Sequence, residues 1–438
     1  MTGRLGRQAV SLKGGISMSL NDTPRANRLH IGIYGRRNAG KSSLINALTG
    51  QDIALVSSAP GTTTDPVFKS MELHPIGPVV FIDTAGFDDE GELGRLRVER
   101  TQDVINRTDI AVVVIDGTSI DDLSHEKVWL NQLEARKVPV IIAVNKCEQM
   151  VARPGTGGSK GGCGSEAEKD RLAAEKISAA LGERQVIMVS AAEKKGLEEL
   201  RKAIENSVPE DYLREKILGD LIDENGLALL VMPQDIQAPK GRLILPQVQT
   251  IRELLDKKCT AVATTADGLD RALASLNRDP DLIITDSQCF NLVYEKKPAS
   301  SGLTSFSVLF AAYKGDIGKF VDGASLLDEM TENSKVLIAE ACTHVPLSED
   351  IGREKIPNLL RRKFGKGMQI VNVCGNDFPS PDALKEFDLI IHCGACMFNR
   401  KHVMNRIAAA EAAGVPITNY GVVLAKLGGI LDKIKLPE

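Results

Sequence analysis

Short apolar runs alternate with helical stretches along most of the chain. Leu29-His30-Ile31-Gly32-Ile33-Tyr34 reads as a short buried strand, with folded structure starting near Arg28. The helical pattern Ser43–Leu48 follows. Strands at Val79–Ile82, Ile110–Ile115, Val138–Val144 and Val186–Val189 come next, each closed by a polar or glycine-containing turn, out to residue 208. Such alternation predicts a doubly wound, mainly parallel α/β sheet over residues 28–208. Residues 153–165 interrupt it. They are too rich in glycine to bury a core and read as a surface insertion, with Cys163 incidental.

Two smaller α/β units are expected downstream. The first, residues 214–300, has strands at Leu227–Met232, Ala261–Thr264 and Leu282–Thr285, with helices around Gln247–Lys258 and Leu269–Asn277. Pro298-Ala299-Ser300-Ser301-Gly302 reads as a linker. The second unit, residues 303–438, has strands at Val336–Ala341, Gln369–Val373 and Leu389–Ile391 and a helix from Arg400 to Ala413. No internal repeat is visible.

Composition narrows the class. Of the 438 residues 43% are hydrophobic and 26% charged, a balance that fits a soluble globular chain of two to four domains. A formal net charge of −4 gives no electrostatic case for nucleic acid or anionic lipid, and no apolar run approaches the roughly 20 residues that span a bilayer. Neither a nucleic-acid nor a membrane partner is expected. Eight cysteines spread over a long chain read as free thiols or metal ligands rather than disulfides. Residues 1–27 read as a disordered leader and the chain as cytoplasmic. Arg4, Arg7 and Lys13, with no acid among the first 20 residues, faintly resemble an organellar transit peptide.

Gly35-Arg36-Arg37-Asn38-Ala39-Gly40-Lys41-Ser42 fits the phosphate-loop pattern G-x-x-x-x-G-K-[ST] between a strand and a helix. Its backbone N–H groups, with those of the Ser43 turn, would curl around phosphates at the positive end of the helix. Lys41 would reach the β- and γ-phosphates and Ser42 would hold Mg²⁺. Four signals follow in order. Pro60-Gly61-Thr62-Thr63-Thr64-Asp65 offers Thr63 as a second Mg²⁺ ligand. Asp83-Thr84-Ala85-Gly86 offers a carboxylate for Mg²⁺ through water and the Gly86 N–H for the γ-phosphate. Asn145-Lys146-Cys147-Glu148 and Ser190-Ala191-Ala192 each follow a strand, where base-reading loops belong. Together they resemble the five G motifs of the Era/TrmE-like GTPases, so the N-terminal unit is expected to bind and hydrolyse GTP. Two details depart from the simplest pattern. Glu148 stands where the guanine-reading residue is usually Asp. Phe87 follows Gly86 where Ras-like enzymes carry a water-orienting Gln, which implies slow intrinsic hydrolysis. In potassium-activated relatives an Asn at the position of Asn38 ligates K⁺ beside the phosphates, so faster hydrolysis in K⁺ than in Na⁺ is expected; the plain alternative is a loop-stabilising amide.

The C-terminal third carries a second constellation. Cys342-Thr343-His344 follows one strand and His392-Cys393-Gly394-Ala395-Cys396 another. In an open α/β sheet, neighbouring strand ends converge on one crevice. Three thiolates there could hold zinc, completed by a histidine, or a [4Fe–4S] cluster with one exchangeable iron. The residues alone leave those two readings even. Cys374 also ends a strand and reads as packing, while Cys147, Cys259 and Cys289 read as small buried residues.

Cys-x-His, a long spacer and His-Cys-x-x-Cys, placed after a GTPase unit and a middle unit, resembles the HydF family of [FeFe]-hydrogenase maturation GTPases from about residue 28 onward. The resemblance implies that Cys342, Cys393 and Cys396 bind a [4Fe–4S] cluster. His344 and His392 would ligate it, hydrogen-bond a sulfide or orient the loop. It implies a homodimer through the middle unit, a di-iron precursor cluster made with radical-SAM hydrogenase maturases, and its delivery to apo [FeFe]-hydrogenase. GTP would bias partner binding through loops around Thr63 and Asp83–Gly86. A zinc-stabilised regulatory GTPase and an RNA- or ribosome-associated GTPase are the alternatives.

Overall fold

The computed structural model describes residues 28–49, 67–73, 75–84, 104–150, 166–209, 212, 216–233, 243–341, 350–375, 377–395 and 398–437. Among these residues the chain builds three sheets. The first has the order β2-β3-β1-β4-β5-β6, from β1 (Leu29–Tyr34), β2 (Val67–Leu73), β3 (Gly77–Asp83), β4 (Ile110–Asp116), β5 (Val140–Asn145) and β6 (Val186–Met188). Every pairing is parallel except β2 with β3, an antiparallel hairpin. The sequence reading has no strand at β2, whose register carries alternating burial at an edge.

Alternation along β1 makes this sheet two-faced. Leu29, Ile31 and Ile33 face a layer with Leu44, Ile45 and Leu48 from the helix Lys41–Thr49 and Leu200 and Ile204 from the helix Leu197–Asn206. Tyr34 faces the other layer, with Val104, Ile105, Trp129, Leu130 and Leu133. Successive strand residues point to opposite faces, so a strand apolar on both sides demands cover on both sides.

The second sheet has the order β10-β9-β7-β8 and the third β12-β11-β13-β14, all parallel. The second comprises β7 (Leu227–Val231), β8 (Thr260–Thr264), β9 (Leu282–Thr285) and β10 (Gly302–Ser305). The third comprises β11 (Lys335–Glu340), β12 (Gln369–Cys374), β13 (Leu389–His392) and β14 (Ile417–Asn419). The stretch read as a linker, Pro298–Gly302, is instead tied into the second unit: β10 begins at Gly302 and pairs with β9, and the Gly302 N–H donates to the Asp281 carbonyl at 3.0 Å. Leu229, Ile283 and Phe320 share one apolar core with Leu337, Ile390 and Val403, so the second and third sheets pack as one body. Among the described residues no helix is long and apolar enough to cross a membrane.

Candidate functional site

Every described residue of the nucleotide motifs lies at the C-terminal edge of the first sheet, where β1, β3, β4, β5 and β6 all end. The phosphate loop leaves β1 at Gly35 and enters a helix at Lys41. Gly40 has φ +84°, and a Cβ there would run into the Asn145 amide. Only glycine fits that combination. Lys41 is buried and its Nζ donates to the carbonyls of Gly35 at 2.9 Å and Arg36 at 2.8 Å. A cation folded onto its own loop carbonyls is held at the place a phosphate would take it from. The Ser42 hydroxyl donates to the buried Asp83 carboxylate. This hydroxyl and carboxylate, brought together 41 residues apart in sequence, form the oxygen pair that suits Mg²⁺.

Asn145 ties the site together. Its Nδ2 donates to the Ala39 carbonyl at 3.0 Å, and its Oδ1 accepts from the Ala191 N–H at 3.0 Å. One amide thus joins the phosphate loop to the Ser190–Ala192 loop. Ser190 is fully buried and its Oγ accepts from the Glu193 N–H at 3.0 Å, while Ala192 is exposed. Lys146, at φ 62°, bonds Asp116 at 2.5 Å. Burial pushes the Asp116 carboxyl up, but hydrogen bonds from Lys146 and Thr118 outweigh it and hold it below the usual range. Glu148 lies on a 3-10 turn and is exposed, as are Asn38 (φ 61°) and Ser43. Thr63 and Gly86 lie outside the described residues.

Arg36 received no role from sequence. Its Nε and Nη2 clamp the buried Glu126 carboxylate at 3.0 and 3.1 Å, fastening the phosphate loop to the helix Ser124–Glu134. A two-pronged guanidinium–carboxylate contact is among the strongest side-chain pairs. No local pattern announces it, because the partners are 90 residues apart.

The cysteine constellation sits at the C-terminal edge of the third sheet. Cys393 directly follows β13, and its Sγ accepts the N–H of Ala341 at 3.1 Å and of Ala395 at 3.4 Å. Ala341 follows β11 and is the residue before Cys342. Backbone N–H groups directed at a cysteine sulfur are the hydrogen bonds that tune a metal-bound cysteine. Cys342, His344 and Cys396 lie outside the described residues. No group of three or more metal-binding side chains occurs among the described residues. Cys374 ends β12, in register with Glu340.

His392 is fully buried, and its ring is spent within the protein. Arg406 donates to Nε2 at 3.0 Å, so Nδ1 carries the proton and donates to the Cys393 carbonyl at 2.7 Å. Burial, then the Arg406 charge, push its pKa down to about 3. Of the three roles open to His392, this geometry matches orientation of the cysteine loop. Arg406, itself buried, also donates to the Gly375 carbonyl after β12 and lies over the Phe378 ring at 4.8 Å.

A seam joins the third sheet's unit to the first unit. Phe398 and Asn399 precede the helix Arg400–Ala413. The Asn399 amide donates to the Arg107 carbonyl at 2.7 Å and to both Asp109 carboxylate oxygens at 3.2 Å. Asn405 donates to the Asn106 carbonyl at 2.9 Å and Lys401 to the Arg136 carbonyl at 2.7 Å. The Phe398 ring stacks on His402 at 4.5 Å and carries the Arg107 guanidinium 4.5 Å from its centroid. Asp109 stands at the start of β4, at the sheet edge opposite the phosphate loop. Burial, against hydrogen bonds from His30 and Asn399, pushes its carboxyl up to about 6.

Three family models match the chain. Residues 30–146 match a 50S ribosome-binding GTPase model, 217–315 the Hydrogen maturase F dimerization domain, and 318–436 the Hydrogen maturase F tetramerization domain. Curated GTPases match part of the chain. The tRNA modification GTPase MnmE of Heliobacterium modesticaldum is 35% identical over 208 residues, 47% of this chain and 39% of its own length. GTPase Der of Kosmotoga olearia is 45% identical over 95 residues, 20% of this chain and 21% of its own. The chain therefore spans well under half the length of these relatives. Among solved structures, Era in complex with MgGDPNP and 16S ribosomal RNA matches with 18% identity and a TM-score of 0.35, covering 54% of this chain and 92% of that one.

Proposed function

The chain belongs to the hydrogen maturase F family of hydrogenase maturation GTPases, and on that premise we propose that it is an iron–sulfur scaffold and carrier whose partner exchange is driven by GTP. Its N-terminal domain is a GTPase. Water attacks the γ-phosphorus of GTP, the bond to the β–γ bridging oxygen breaks, and GDP and phosphate leave. Lys41 would reach the β- and γ-phosphates, and Ser42 with Thr63 would hold Mg²⁺, which would supply positive charge against that building on the leaving group. Asp83 would orient the metal's water and the Gly86 N–H would meet the γ-phosphate. Asn145, Lys146 and Glu148 would read the base. Asn38 would hold K⁺ beside the phosphates, where the cation would do what an arginine finger does elsewhere and so offset the lack of a water-orienting side chain at Phe87.

At the other end, Cys342, Cys393 and Cys396 would hold a [4Fe–4S] cluster. The observation that carries this reading is the Ala341 N–H on the Cys393 sulfur at 3.1 Å: the residue before one proposed ligand touches the sulfur of another. The cargo would be a di-iron precursor, received from radical-SAM maturases and passed to apo [FeFe]-hydrogenase. The dimerization and tetramerization domains make self-association a family property. A homodimer through the middle unit is supported by Val248 and Leu255, which are 47% and 59% exposed on the helix Leu245–Asp256. A cytoplasmic location goes with this reading.

Anaerobic purification followed by metal analysis and EPR tests the proposal. A brown, iron-loaded chain is expected; a colourless, zinc-loaded one refutes the carrier and favours the zinc-stabilised regulator. Lys41→Ala should abolish hydrolysis and keep iron, and Cys393→Ala should do the reverse. A folded variant of either kind that loses both properties contradicts the two-module design.

A further inference from the structure

The strand ends of the third sheet form one row. Glu340 pairs with Cys374, Ala339 with His392, and His392 with Asn419. Just past those pairs, Glu340 ends β11, Cys393 follows β13, and Tyr420 follows β14 as the first residue of the helix Tyr420–Leu427. Glu340 is only 3% exposed. The Tyr420 hydroxyl donates to its Oε1 at 3.4 Å, and Arg353 Nε lies 3.5 Å from its Oε2. Because β11 and β14 flank β13, the Tyr420–Glu340 bond spans the end of β13, where Cys393 emerges. A Cβ on Gly352 would strike both the Tyr420 hydroxyl and the Glu340 carboxylate, so the chain after Asp350 closes tightly on the pair.

We propose that Glu340 and Tyr420 are positioning residues for the cluster held through Cys393: the carboxylate holds its reduction potential down, and the phenol fixes the carboxylate in place. The inference rests on the carrier reading of Cys393. Adding an electron beside a buried negative charge is resisted far more than in water, and the charge and hydrogen bonding around a cluster set its potential. Arg353 offsets the carboxylate only partly, being itself 38% exposed and screened.

The test is an EPR-monitored redox titration of anaerobically reconstituted full-length wild type, Glu340→Gln, Glu340→Asp and Tyr420→Phe, with iron counted per chain. At equal iron, Glu340→Gln should shift the midpoint potential upward, Glu340→Asp should stay nearer wild type, and Tyr420→Phe should alter the g-values. Wild-type potential and spectrum in both Glu340→Gln and Tyr420→Phe overturn the inference while leaving the carrier reading intact. If Glu340→Gln fails to fold or load, Tyr420→Phe, which keeps the ring, decides alone: an unchanged spectrum overturns it. A wild-type chain that takes up no iron defeats the carrier reading and this inference with it.

Discussion

Asp109 at the seam gives the sharpest quantitative handle. Its carboxyl is moved from 3.8 to about 6, first by burial, against the donors His30 N–H at 2.8 Å and Asn399 Nδ2. A raised carboxyl means that the folded chain holds its proton more tightly than the unfolded one. The associated stability is fully present below pH 3.8 and is lost as pH rises through 6. At 1.36 kcal/mol per pH unit the shift is worth about 3 kcal/mol. Wild type alone will not display it, because His30 slopes the other way. Burial, against the Arg28 carbonyl, lowers His30 from 6.5 to about 4, so it supplies stability above pH 6.5 that is lost on acidification. His30 is therefore neutral near pH 7, and its 3.7 Å approach to Asp109 is not an ion pair there. Asp109→Asn separates the two. Trp129, the single tryptophan and buried in the GTPase unit, reports urea unfolding of that unit. The wild-type stability minus that of Asp109→Asn should fall by about 2.4 kcal/mol between pH 4 and 7, the part of the shift that this window contains. A difference that is flat to within about 1 kcal/mol, or that rises, refutes the burial argument.

Gly40→Ala forces a Cβ against the Asn145 amide at φ +84°; a cost of about 1–2 kcal/mol or more should weaken binding of a fluorescent GTP analogue at least about fivefold, and wild-type affinity would contradict the fit. Hydrolysis should run faster in K⁺ than in Na⁺ at equal ionic strength, and equal rates remove the role given to Asn38. Arg406→Leu strands His392 Nε2 and the Gly375 carbonyl, at about 1–3 kcal/mol each. Its thermal midpoint should drop by several degrees, and an unchanged midpoint would show the strap to be dispensable. Asn399→Ala removes the bonds to Arg107 and Asp109, so hydrogen exchange at residues 104–109 should accelerate more than tenfold; unchanged exchange would mean the seam holds without it.

The nucleotide edge was legible in the sequence because its chemistry is local. Each motif occupies consecutive residues immediately after an apolar run, and parallel strands necessarily bring their C-terminal ends to one rim. Strand alternation likewise announced the three α/β units. The pattern was weaker where an edge strand is only half buried, as in β2, and where a proline- and serine-containing turn concealed the start of β10.

What only the tertiary structure decided are contacts between residues distant in the chain. Arg36 on Glu126, Arg406 between His392 and Gly375, Asn399 on Asp109, and the row Glu340–Cys393–Tyr420 all depend on strand order and register. One residue of slip in β11 or β13 would turn Glu340 or His392 to the opposite face of the third sheet. Hydrophobic periodicity encodes which faces are buried, but not which strand lies beside which. That choice comes from packing the whole sheet at once, and it sets what stands next to the sulfur of Cys393.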